Sequence, residues 1–142
     1  MRTISKAATL ALGASAALAG SVALGAPAMA AYTPIGVCGG GDYHVIDHED
    51  MGEGAITATT YLLWSNNAQS NCVVTMKVGS AVGDSVSVSA RLQVQGQSAK
   101  VDGPKAYKYY AGPVKAGAAG KCVRFGGTYG ELNFWSNYGH CG

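Results

Sequence analysis

From Ser85 to Gln95 the chain alternates without interruption: Val86, Val88, Ala90, Leu92 and Val94 fall between Ser85, Ser87, Ser89, Arg91, Gln93 and Gln95. A period of two over that length belongs to a β-strand with one face buried and the other wet, because successive side chains of a strand point to opposite faces. Asn71 to Val78 has the same habit, which predicts Cys72, Val74, Met76 and Val78 inward and Val73, Thr75 and Lys77 outward. The two glycines between Gly79 and Asp84 suit a hairpin loop.

Further strands are expected at Tyr43 to Asp47, Thr57 to Trp64, Ala106 to Ala111, Val114 to Ala116, Lys121 to Phe125 and Glu131 to Ser136. Ser65-Asn66-Asn67, Gly112-Pro113, Gly117 to Gly120 and Gly126-Gly127 separate several of them as turn signals. No window carries a capped 3.6-residue period. The reading is an all-β fold, an antiparallel sandwich or barrel of seven or eight strands, with the two-sheet sandwich favoured.

The N-terminus reads as an export signal: Arg2 and Lys6, a weakly apolar run from Ala7 to Leu24, then small residues ending in Ala28-Met29-Ala30. Residues 1–30 are expected to be cleaved and residues 31–142 to form one secreted domain. The run is nearly the ~20 residues that cross a bilayer, but it is Ala- and Gly-rich and a cleavage motif follows directly, so it reads as a cleaved signal. No second apolar stretch of spanning length occurs, and no membrane association is expected after cleavage. The whole chain has ten basic and eight acidic residues. Without Arg2 and Lys6 the two signs balance, and the basic excess typical of a nucleic-acid binder is missing.

All four cysteines, Cys38, Cys72, Cys122 and Cys141, follow the proposed cleavage site. An even count in an exported chain predicts two disulfides. Three pairings are open; Cys38 with Cys72 and Cys122 with Cys141 encloses the shortest loops. The cysteines lack the paired spacing of a zinc site, and no metal or other cofactor is expected.

Candidate chemistry is sparse. His44 and His48 lie in the acidic segment Tyr43 to Asp50. On a strand they stand about 13 Å apart and cannot share a metal. His140 adjoins Cys141, which suggests a structural role, and there is no G-x-S-x-G elbow. No catalytic residues are assigned, and the protein is expected not to be an enzyme. The remaining lead is aromatic: Tyr107, Tyr109, Tyr110, Trp135 and Tyr138 are candidates for surface binding to a wall polymer, a glycan or a protein. A second expectation is a secreted inhibitor or toxin-like effector acting through an exposed loop at Gly96 to Lys108, with Asp102-Gly103-Pro104 at its tip.

Several segments carry a family likeness: Tyr61-Leu62-Leu63-Trp64, Asn71-Cys72-Val73-Val74-Thr75, Leu92-Gln93-Val94-Gln95-Gly96, Tyr109-Tyr110-Ala111-Gly112-Pro113-Val114, Ala119-Gly120-Lys121-Cys122-Val123 and His140-Cys141-Gly142. In that order they resemble the small secreted spore-associated proteins (spore-associated protein A type) of filamentous actinomycetes. The resemblance implies export during differentiation, association with the spore or aerial-hypha surface, and no established catalytic activity. Asp47 to Glu53 and Lys100 to Lys108 match less clearly.

Overall fold

The computed structural model describes residues Tyr32–Gly142. The expected export signal and its cleavage point lie outside the described residues. Among the described residues no helix is long and apolar enough to cross a membrane.

A single helical turn, α1 (Pro34–Val37), precedes eight strands: β1 (His44–Met51), β2 (Ala58–Ser65), β3 (Ser70–Lys77), β4 (Val88–Val94), β5 (Lys100–Lys105), β6 (Tyr110–Gly117), β7 (Val123–Tyr129) and β8 (Leu132–Trp135). All pairings are antiparallel. One sheet has the order β1-β2-β3-β6 and the other β5-β4-β7-β8. The fold is therefore an all-β sandwich, as the alternation predicts.

The main core lies between the sheets. Leu62 and Val73 from the first sheet meet Val88, Ala90, Leu92, Val123 and Phe125 from the second. Thr60 and Thr75 join their hydroxyls within this layer at 2.9 Å, which satisfies both buried groups. They need room, and Gly127 of β7 supplies it: a Cβ there would stand 2.3 Å from Thr75 Oγ1 and 2.5 Å from the Ser89 carbonyl oxygen.

A second core covers the outer face of the first sheet. Leu63, Cys72, Val74 and Met76 pack there under Val37, Cys38, Tyr43 and Tyr110. The Cys38–Cys72 disulfide ties the α1 segment to β3, and Thr33 caps α1 by accepting the Gly36 N–H at 2.9 Å. Pro34 is suited to the first helical position, where no N–H is required.

The faces of β3 are consequently the reverse of those expected. Val73, Thr75 and Lys77 point between the sheets, while Cys72, Val74 and Met76 point to the outer core. With both faces covered, nearly every residue of β3 is buried and alternation no longer separates inside from outside. In β4 the inward set holds from Val88 to Val94, but Val86 lies ahead of the strand and is exposed.

Other boundaries shift as well. β1 runs through the acidic stretch to Met51, so the acids line an edge strand, a placement that discourages pairing with other chains. β6 continues through Gly112-Pro113 with an irregular register opposite β3, and β7 continues through Gly126-Gly127. The segment expected as an exposed loop contains β5, paired with β4 from Lys105 back to Lys100. Asp102-Gly103-Pro104 is therefore part of a strand and not a loop tip. Asp102 accepts hydrogen bonds from Tyr107 Oη at 2.7 Å and the Gly112 N–H at 2.8 Å, tying β5 to the chain entering β6.

Candidate functional site

The five aromatic residues singled out in the sequence divide between two surfaces. Tyr109 stacks on Tyr32 with ring centroids 5.3 Å apart, and Tyr110 meets Tyr32 at a tilt, 5.2 Å away. Tyr110 also packs on the outer core, so it is only half-buried, and Tyr107 packs against the main core. The Asp102 carboxylate that accepts the Tyr107 hydroxyl raises the phenol pKa, with desolvation adding to the effect. Tyr107 is thus a structural anchor, whereas Tyr32 and Tyr109 offer rings to solvent.

Trp135 and Tyr138 belong to the second surface, on the outer face of the β5-β4-β7-β8 sheet. Trp135 is paired with Gly126, which is paired in turn with Arg91. Gly126 lets the indole lie over the sheet, because a Cβ there would stand 2.7 Å from Trp135 Cε3 and 2.1 Å from the Phe134 carbonyl oxygen. Two guanidiniums rest against that ring, Arg91 at 4.5 Å and Arg124 at 4.4 Å from its centroid. Arg124 also lies 5.1 Å from the Tyr138 ring.

Both arginines are oriented by neutral groups. Arg91 donates to Asn133 Oδ1 and, at 3.0 Å, to the Phe134 carbonyl; Arg124 Nε donates to Gln93 Oε1 at 3.0 Å. Among the described residues neither forms an ion pair with a carboxylate, and Arg91 Nε is buried without a hydrogen-bond partner. Burial, followed by the positive charge of Arg124, lowers the Arg91 pKa. The outcome is an aromatic surface carrying two guanidiniums that form no ion pair among the described residues. Sequence reasoning found Trp135 and Tyr138 but missed Arg91 and Arg124, which approach each other only across paired strands.

A third feature escaped the sequence altogether. A cleft of about 460 Å³ is bordered by Ile46 and Trp64 on the first sheet, by Asn66, Gln69 and Asn71 around the β2–β3 turn, and by His140 near the C-terminus. The Cys122–Cys141 disulfide holds the His140 segment near the start of β7, where Val123 and Gly139 exchange backbone hydrogen bonds at 2.8 Å. Trp64 Nε1 donates to Asn66 Oδ1 at 3.0 Å, and Gln69 Nε2 donates to the Asn66 carbonyl at 2.9 Å.

His140 Nε2 lies 2.9 Å from Asp47 Oδ2, joining the C-terminal segment to β1. A histidine in a cleft beside an acid satisfies part of the geometry required of a catalytic site. Among the described residues, those bordering the cleft include no serine, threonine or cysteine. His44 and His48 both lie on β1, and among the described residues no group of three potential ligands is placed to hold a metal ion.

These features define a disulfide-braced β-sandwich whose surface chemistry consists of aromatic rings, guanidiniums and amides. The chain belongs to the spore-associated protein A type. It is 34% identical over 107 residues to spore-associated protein A of Streptomyces coelicolor, a match covering 75% of this chain and 66% of that protein. About a third of the relative's length therefore lies outside the match. No family model matches the chain, and no solved structure matches it. The two disulfides suit a chain that folds in an oxidising compartment.

Proposed function

We propose that the protein is exported and acts without catalysis at the surface of the spore or aerial hypha, retained there by the Arg91–Arg124–Trp135–Tyr138 face. The carrying observation is the pair of guanidiniums against one indole, with no carboxylate among the described residues paired to either. Arginine provides a planar fork of donors suited to carboxylates and phosphates, and the adjoining rings add contact area with little side-chain entropy to lose. An anionic wall polymer or an acidic protein at that surface is the corresponding partner. The relative's association with spores supports this reading. The segment Gly96 to Lys108, to which the inhibitor reading assigns its contact loop, contains strand β5.

Co-sedimentation with purified spore walls tests the proposal. The protein should pellet at low salt and be released as salt rises, and Arg91→Ala/Arg124→Ala should pellet at least tenfold less, a loss of ~1.4 kcal/mol or more. Retention no greater than that of an unrelated secreted β-domain, or unchanged in the double variant, would count against it.

A further inference from the structure

The cleft beside Trp64 has a different chemistry from the arginine face. Asn66, Gln69 and Asn71 contribute amides, Trp64 an indole and Ile46 a hydrocarbon surface, with His140 on the opposite border. Among the described residues no lysine, arginine, aspartate or glutamate borders it. His140, paired with Asp47, is the described bordering side chain that can take a charge, and amides supply most of the polar wall.

Hydrogen bonds already present decide which groups remain for a ligand. Trp64 spends its only donor on Asn66 Oδ1, so the indole can offer a ligand only its ring surface. The same bond turns Asn66 so that its amide N–H groups are left to donate. Gln69 uses Nε2 on the Asn66 carbonyl, which leaves Oε1 to accept.

Asn71 is only 2% exposed and donates through Nδ2 to the Leu63 carbonyl at 3.1 Å. Asn71 borders the cleft, and its Nδ2 is already committed to that carbonyl. Donors and acceptors are thus mixed around an aromatic ring, and their positions are set by the β2–β3 turn.

We infer that this cleft is a binding site for a neutral saccharide. A pyranose has an apolar C–H face to lay on an indole and a rim of hydroxyls that both donate and accept, the combination these walls complement. A flat aromatic ligand would stack but leave the amides unmatched. The volume falls within the ~300–1,000 Å³ range of small-ligand sites and suits a short stretch of sugar chain. This site is separate from the arginine face, so wall retention and saccharide binding can fail independently.

The test is a titration of the full-length secreted protein with cellotetraose, maltotetraose and tetra-N-acetylchitotetraose, followed by NMR. The protein has two tryptophans, and the Trp64 indole N–H resonance, identified by its loss in Trp64→Phe, reports directly on the cleft. At least one sugar should shift that resonance saturably below about 10 mM, and Asn66→Ala and Gln69→Ala should each weaken binding about tenfold. Asn66 and Gln69 are exposed turn residues, so these variants keep the fold even if Trp64→Phe does not. No saturable shift with any of the three sugars, or equal binding by the Asn66 and Gln69 variants, would overturn the inference.

Discussion

Lys77 Nζ lies 2.6 Å from Asp84 Oδ1, with the lysine side chain fully buried and the aspartate 28% exposed. Lys77 sits on the inward face of β3, at the end of the sandwich. It also donates to the Asp84 carbonyl at 3.0 Å and lies 5.8 Å from the centre of the Tyr129 ring. Tyr129 donates its hydroxyl to the other oxygen of the same carboxylate. An ammonium can be accommodated between the sheets because three elements converge on it.

Removing one partner of this group leaves the other desolvated. Lys77→Met and Asp84→Asn should each lower unfolding free energy by about 2–3 kcal/mol, less than the ~3–5 kcal/mol of a fully buried pair because Asp84 reaches water. Urea denaturation with both disulfides intact measures the loss. An unchanged midpoint in both variants would show that the cluster contributes nothing.

The same cluster sets the pH response. Burial raises the Asp84 pKa, but hydrogen bonds from Lys77, Tyr129 and the Val86 N–H, with the charge of Lys77, outweigh it and leave the net value below 3.8. Asp42 is lowered too, first by the Ser65 hydroxyl and then by the Asn67 N–H. Lowered carboxylate pKa values stabilise the fold above the unfolded-state pKa, and that contribution disappears as pH falls through the folded values. Stability should therefore drop below about pH 4, with a smaller drop in Asp84→Asn.

On the alkaline side the sign reverses. The hydrogen bond to Asp84, then burial, then the Asp84 charge push Tyr129 up to about 12. Its contribution is complete below the ordinary value of 10 and is lost as pH rises toward about 12. Phenolate absorbance should show Tyr129 ionising last, after the less strongly raised Tyr107, and Tyr129→Phe should remove that final step.

Gly127 tests the packing between sheets. Gly127→Ala would drive a methyl into the Thr60–Thr75 pair and the Ser89 carbonyl. Overpacking against backbone should cost about 3 kcal/mol. Denaturation in urea measures this cost, and a loss below about 0.5 kcal/mol, the scale of a neutral surface change, would mean that the sheets separate without strain.

The disulfides should differ in their contributions. Sequence separations of 34 and 19 residues correspond to about 4 and about 3 kcal/mol for Cys38–Cys72 and Cys122–Cys141 in the chain-entropy model. Cys122→Ser/Cys141→Ser should also free the segment that presents His140 to Asp47. Faster amide exchange at Gly139 and Val123, with the α1 segment unaffected, is the expected signature.

Much of the sandwich was legible because strand periodicity is local. Val88 to Val94 alternate in sequence and in space, and the Ser65-Asn66-Asn67 turn signal marks the β2–β3 connection. β1 was legible only as far as Asp47; the acidic residues beyond it gave no such signal, because β1 is an edge strand with little of its surface in the core. β5 was hidden for a related reason: Lys100, Gly103, Pro104 and Lys105 are poor strand formers that suit an edge. Of the candidate surfaces, only the aromatic members could be named, since guanidiniums and amides are too common along a chain to stand out singly.

By itself the amino-acid sequence determined an all-β domain with crosslinks, because alternation, turn chemistry and cysteine number act over short distances or as simple counts. Tertiary structure alone decided which face of β3 lies inside. A period of two distinguishes two faces without saying which meets the other sheet, and a second core under α1 made both apolar. It likewise decided that Arg91 meets Arg124 across Trp135, and that His140 reaches Asp47 from 93 residues away. Such meetings depend on strand order and register, which arise from the packing of the whole chain and leave no mark on the residues next to them in sequence.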